Sequence, residues 1–261
     1  MGLAPPPKAN VFGVDVSVTD YDHAAAVIID AATAHRPLGV SALAVHGLME
    51  CVKDPELGRQ VNSLAIVTPD GQPVRWALNL LHGTALRDRV SGPDLVERVC
   101  AEAVRRGVRV YLYGSTEQTA SACARTLQRR HPGLQVVGVQ PDRFREATAE
   151  EDEEDVTRIN RSGAGIVLVG RGCPRQERWV AAHQGRVHAA MLAVGAAFDY
   201  FAGNIRRAPR WMQRAGLEWT YRLYQEPRRL GRRYLVTNVA FLARLGRELA
   251  LRRLPRRRRR G

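Results

Sequence analysis

Gly165-Ile166-Val167-Leu168-Val169-Gly170-Arg171-Gly172-Cys173-Pro174-Arg175-Gln176-Glu177 decides the fold of this 261-residue chain. An apolar, β-branched run ends in two glycines one residue apart. A proline suited to the first helical position then opens a polar stretch. Such a turn puts backbone N–H groups and a helix N-terminus at the carboxyl end of a strand, where doubly wound folds bind phosphates. Val110-Tyr111-Leu112-Tyr113-Gly114-Ser115-Thr116-Glu117 repeats the arrangement, with a Ser or Thr cap in place of the second glycine.

Short β-branched runs alternate with amphipathic stretches along the whole chain. Strands are predicted at 11–16, 39–45, 64–67, 108–113, 135–139, 165–169 and 190–194. Helices are predicted at 22–34, 47–51, 73–81, 93–106, 117–130, 149–160, 174–183 and through a long region after Pro209. The alternation argues for an α/β domain: a Rossmann-like, mainly parallel sheet flanked by helices.

Length excludes a peptide-sized or disulfide-stapled fold, and hydrophobic residues at 45% with charged residues at 25%, both near the globular average, argue against a wholly disordered chain. The charge is what departs from the average. Residues 1–204 carry 22 basic and 23 acidic side chains, whereas residues 205–261 carry 18 and 3. A neutral core, 1–204, is therefore followed by a basic helical appendage, 205–254, and by a polybasic tail, 255–261, that should be disordered. Arginines interleaved with Trp211, Trp219, Tyr221, Tyr224 and Tyr234 should seek phosphate, on nucleic acid or on an anionic bilayer.

Cys51, Cys100, Cys123 and Cys173 form no Cys-x-x-Cys pair, so neither a zinc site nor a disulfide framework is expected, and a reducing cytoplasm fits. The first residues hold no apolar stretch of signal-peptide length. The uncharged, mostly apolar run 187–198 falls far short of the roughly 20 residues that span a bilayer. Any membrane contact should then be peripheral.

Three segments can carry chemistry. Ile66-Val67-Thr68-Pro69-Asp70-Gly71-Gln72-Pro73 places a carboxylate just past a strand, where it faces a crevice or caps the helix beginning near Pro73. The loop 170–177 is neither a Walker A loop nor a complete dinucleotide fingerprint. His46 follows an apolar run and stands at a strand's end, as a structural histidine or as a site residue. His23, His35, His82, His131, His183 and His188 show no ligand spacing with one another or with the cysteines, so no protein-held metal is expected. The acidic run 150–155 reads as a solvated helix start.

Taken in order, several segments resemble the WecB/TagA/CpsF (WecG/TagA/CpsF) glycosyltransferase family, glycosyltransferase family 26. They are Pro69-Asp70-Gly71, Arg89-Val90-Ser91-Gly92-Pro93-Asp94, Val110-Tyr111-Leu112-Tyr113-Gly114, and Gly170-x-Gly172-x-Pro174-Arg175-Gln176-Glu177. Gly195-x-x-Phe198-Asp199, Gly203, Arg207-Ala208-Pro209, Gly216-Leu217-Glu218-Trp219, Arg222-Leu223 and Glu226-Pro227-Arg228-Arg229 continue the match, which runs from about residue 11 to 233.

The resemblance implies an inverting transferase that moves a sugar from a nucleotide donor, a UDP-N-acetylhexosamine derivative or a UDP-hexose, to a polyprenyl-diphosphate-linked sugar. The setting it implies is cell-surface polysaccharide or exopolysaccharide synthesis. It implies Asp70 as general base and Gln176 as a residue of the active-site pocket. Arg222, Arg229 and Arg232 are the nearest matches to arginines that close over the nucleotide diphosphate. His46, Arg89, Gly114, Ser115, Gly170 and Gly172 complete the expected substrate-binding set. Where many members carry Thr-x-Asn, this chain reads Ala44-Val45-His46, so donor identity transfers least.

No Asp-x-Asp stands in a strand-end context, and forked guanidinium donors can neutralise a diphosphate, so no metal and no cofactor are expected. The appendage's charge predicts a cytoplasmic protein held peripherally on the inner face of the membrane. It can pack on its own body or on a second copy, which leaves a homo-oligomer open. The rivals are a nucleic-acid-binding protein using the basic aromatic arm, a nicotinamide-dependent oxidoreductase, and a membrane-docked scaffold without turnover. A neutral body, an incomplete glycine fingerprint and the retained Asp70, Gln176 and arginines argue against them in turn, and no nucleic-acid partner is expected.

Overall fold

The computed structural model describes residues 2–253, except for the side chains of Arg229, Arg232, Arg233 and Arg253. The tail expected at 255–261 lies outside the described residues. A hairpin of β1 (Lys8–Val11) and β2 (Val14–Ser17) precedes six further strands. These are β3 (Leu38–Leu43), β4 (Ile66–Pro69), β5 (Val110–Gly114), β6 (Val136–Gln140), β7 (Ile166–Gly170) and β8 (Ala190–Ala193). They form one parallel sheet in the order β4-β3-β8-β7-β5-β6. Strands covered on both faces read as unbroken apolar runs, and β5, β7 and β8 do so. Edge strand β6 alternates, with Val137 and Val139 exposed.

Nine helices of the core surround the sheet: α1 (Tyr21–Thr33), α2 (Val45–Lys53), α3 (Pro55–Ser63), α4 (Gln72–His82), α5 (Gly92–Arg106), α6 (Glu117–Arg130), α7 (Ala149–Arg161), α8 (Arg175–Ala182) and α9 (Ala197–Ala202). One apolar layer joins α1, α5, α6 and α9 to the sheet; the other joins α2, α3, α4, α7 and α8. The helices that follow β3, β4 and β7 thus pack on one face and those that follow β5 and β8 on the other. Their entry loops part above the carboxyl ends of the strands and leave a crevice.

The chain closes with α10 (Arg210–Arg214), α11 (Glu218–Gln225) and α12 (Pro227–Arg253). α12 lies across α2 and α4. Phe241 and Leu245 are buried in the α2/α4 layer, and the Phe241 ring meets that of Phe12 edge-on at 5.4 Å. Arg252 also donates to the Leu81 carbonyl.

Several details differ from the sequence reading. The run 11–16 is a hairpin, because Phe12 and Gly13 both take positive φ and turn the chain between valines that look continuous. The stretch 39–45 ends at Leu43, since Val45 already belongs to α2, and His46 therefore sits in a helix's first turn. Unforeseen α3 starts at a proline after Asp54, whose carboxylate accepts the Glu56 and Leu57 N–H groups. Pro174 precedes α8 as its N-cap. The acidic run is not wholly solvated: a capping box of Thr148 and Glu151 opens α7 as expected, but Asp155 is buried against Arg143 and Gln140.

Phe241→Ala removes the ring that anchors α12, and large-to-small changes of this kind cost about 3–5 kcal/mol. The expected outcome is a lowered unfolding midpoint, with trypsin cutting within 205–253 at a concentration that leaves the rest of the chain whole. Undiminished protease resistance would show that α12 is held by other contacts.

Candidate active site

The loops after β3, β4, β5, β7 and β8 line a single cavity of about 320 Å³, which α11 and α12 also wall. His46, Asp70, Arg89, Ser115, Gly170, Gly172, Gln176 and Arg222 are all on its wall. The crevice therefore brings together residues spread over most of the chain. Arg229 and Arg232 lie on α12, and their side chains are outside the described ones.

Gly114 stays behind the wall, and its reason is steric. A Cβ there would come within 2.6 Å of the Gly170 backbone, so Gly114 lets β5 and β7 end side by side. A Cβ on Gly170 would in turn meet the Phe198 ring at 2.5 Å. These glycines are explained by packing, whichever ligand the loop accepts.

Asp70 follows β4 directly. Its N–H donates to Thr68 O at 2.9 Å, and Oδ2 accepts the Gly92 N–H at 3.3 Å, in the first turn of α5. α4 is capped by Gly71 without a side-chain bond, so Asp70 does not serve as that helix's cap. Burial pushes the Asp70 carboxyl up to about 6; Arg89 opposes the rise and Glu218 adds to it. A carboxyl poised there is ionised at neutral pH yet basic enough to accept a proton.

Arg89 is itself almost enclosed, its side chain 8% exposed. It is ion-paired with Glu218 of α11 and donates to Gln213 Oε1 of α10 at 3.3 Å. Nearby, Arg207 donates to Asp94 at 2.8 Å and to Gln213 at 3.2 Å. Arg207 and Arg222 stand 5.9 and 5.6 Å from the ring centre of Tyr200, whose phenol burial raises above its ordinary range. Arg222 lies 3.6 Å from Glu226.

Gln176 is buried on the first turn of α8, and its Nε2 donates to Glu177 Oε1 at 2.8 Å. That bond orients the amide with Oε1 unpaired on the cavity wall beside Gly195. Burial holds Glu177 above the usual carboxylate range, and Ser41 Oγ donates to it at 3.4 Å. Arg171 and Arg175 of the same loop are both bound by the enclosed Asp142 carboxylate.

Sequence reasoning did not nominate Tyr200, Glu218, Trp219, Tyr234 or Asn238, although all five line the cavity. Glu218 and Trp219 stand within a quoted motif, and Trp219 and Tyr234 among the aromatics interleaved with arginines, which are the signals the sequence offers for them. Among the described residues, no group of three or more His, Cys, Asp or Glu is arranged to hold a metal ion. Residues 9–256 match the model of the WecG/TagA/CpsF glycosyl transferase family, and the chain belongs to that family.

Proposed function

We propose that this glycosyltransferase is inverting, and that it moves a sugar from a UDP-linked N-acetylhexosamine derivative or UDP-hexose to a polyprenyl-diphosphate-linked sugar in exopolysaccharide or other cell-surface polysaccharide synthesis. The observation that carries the reading is the Asp70 carboxyl, raised to about 6 at the carboxyl edge of a parallel sheet with Arg89 and Arg222 on the same wall. The acceptor oxygen attacks the anomeric carbon while its proton passes to Asp70. The bond to the nucleoside diphosphate breaks with its electron pair on the leaving phosphate, and the configuration inverts.

Arg222 supplies forked donors to the diphosphate, which a guanidinium matches in a bidentate way; the family resemblance implies the same role for Arg229 and Arg232, whose side chains lie outside the described ones. Turnover on this account needs no metal. The unpaired Gln176 Oε1 accepts a hydrogen bond from a sugar hydroxyl or amide N–H. His46, Ser115, Gly170 and Gly172 bound the rest of the donor site.

Residues 1–204 act in this scheme as the catalytic core and 205–254 as an appendage that both covers the site and meets the membrane's inner face. No helix among the described residues is long and apolar enough to cross a membrane. Leu235, Val239 and Leu242 recur at helical spacing on α12 and are 70%, 58% and 63% exposed. Exposed Arg228 precedes this stripe on the same face of α12, and exposed Arg247 lies to one side of it. An apolar stripe beside arginines suits an anionic headgroup layer, where each basic residue gains about 1 kcal/mol.

Two experiments test the reading. Nucleotide release from a panel of UDP-sugars, in excess EDTA and with a short-chain polyprenyl-diphosphate sugar as acceptor, should require the acceptor. It should fall about a hundredfold to ten-thousandfold in Asp70→Asn, the usual worth of a general base. Equal release by wild type and variant would remove Asp70 from that role. Separately, the triple variant Leu235→Glu, Val239→Glu, Leu242→Glu should lose co-sedimentation with phosphatidylglycerol vesicles yet still use a short, water-soluble acceptor. Undiminished vesicle binding would exclude the stripe.

A further inference from the structure

We propose that Glu218 is a positioning residue: through its ion pair with Arg89 it holds that guanidinium off Asp70, so that docking of α11 readies the carboxylate to take the acceptor's proton. The inference rests on Asp70 being the base. It begins from a shared cation. Arg89 has one guanidinium and two carboxylates beside it, Asp70 from its own half of the chain and Glu218 from α11.

The guanidinium goes to the α10–α11 side. It is ion-paired with Glu218 and donates to Gln213 Oε1 at 3.3 Å, while Asp70 takes the Gly92 N–H, also at 3.3 Å. Glu218 is enclosed as well, its side chain 14% exposed. A buried charge left without its partner is costly, so Arg89 turns to Asp70 whenever Glu218 is absent. A guanidinium bound at Asp70 stabilises the ionised carboxylate and weakens it as a base.

Groups from every packed element face this carboxylate. Arg89 precedes α5, Asp94 lies on α5, Glu218 on α11, Tyr200 on α9 and Tyr21 on α1, while His46 and Arg222 share the cavity wall from α2 and α11. Burial opposes ionisation of Asp94, but its bonds from Arg207 and Ser91 win and bring it down to about 2. Burial pushes Tyr21 up to about 12, and Tyr200 is also raised. Asp94 therefore keeps its charge, and both phenols their protons, across the pH range in which Asp70 titrates.

The sign follows from charge. Glu218 raises the Asp70 carboxyl both by its own negative charge and by drawing Arg89 away, so its removal lowers that carboxyl on both counts. Asp70 works ionised, and kcat/KM falls as pH drops through its titration. The acid limb of wild type should stand near pH 6, where the carboxyl titrates. In Glu218→Gln it should move about one unit lower, as expected when a cation settles on a carboxylate.

The test compares kcat/KM against pH for wild type, Glu218→Gln and Glu218→Asp as full chains. Glu218→Asp keeps the charge and should keep its limb near that of wild type. Carbon-13 titration of the Asp70 carboxyl in Glu218→Gln reads the same shift without turnover. Should Glu218→Gln slow the reaction while limb and titration stay in place, Glu218 would be merely structural and the proposal overturned. Because Asp70→Asn tests the base separately, a collapse there with an unmoved limb here would discard this inference alone.

Discussion

One buried ion pair, Arg89 with Glu218, joins the two halves on which everything at the crevice depends. Arg89 comes from the segment between α4 and α5, Glu218 from the start of α11, and both line the same cavity. Charges this enclosed are tolerated only with close partners. Gln213 supplies a second bond to Arg89, and Arg207 bound to Asp94 repeats the arrangement one step away. A neutral core and a strongly basic C-terminal segment thus meet through matched charges, while Phe241 and Leu245 bury the apolar side of α12.

The chemistry follows from where the sheet places its strand ends. Parallel strands deliver all their carboxyl ends to one edge, and the switch of helices between faces opens that edge into a crevice. Asp70 stands immediately after β4, Gly170 ends β7, and Gly172 lies in the turn from β7 to α8. Their position is set by rigid neighbours, and all three line the cavity. Burial at that edge raises Asp70, the α5 N-terminus gives it a donor, and Arg89 limits the rise.

What the sequence made legible was local. Apolar runs ending in Gly, Pro or Asp mark β4, β5, β7 and β8, and a run ending at His46 marks β3, so the strand-end loops and the residues in them are legible together. Long-range pairing was not legible. The Arg89–Glu218 pair spans about half of the chain, and no periodicity announces it. The β1–β2 turn was hidden because Phe12 carries the left-handed conformation that a glycine would have advertised. At Gly114 a steric need and a binding need leave the same letter in the sequence, and the close approach of the Gly170 backbone supplies the steric one. Asp155 disappeared into an acidic run since its partner Arg143 lies on the far side of a loop.

The most direct test of the account is a crystal structure of the full chain with a nucleoside diphosphate bound. The diphosphate should lie in the cavity walled by Asp70, Gln176 and Arg222, its oxygens about 3 Å from the Arg222 guanidinium. α11 should stay over the site, and the Asp70 carboxylate should face the space left for the acceptor. A nucleotide bound outside this cavity, or one bound within it that covers the Asp70 carboxylate, would contradict the account.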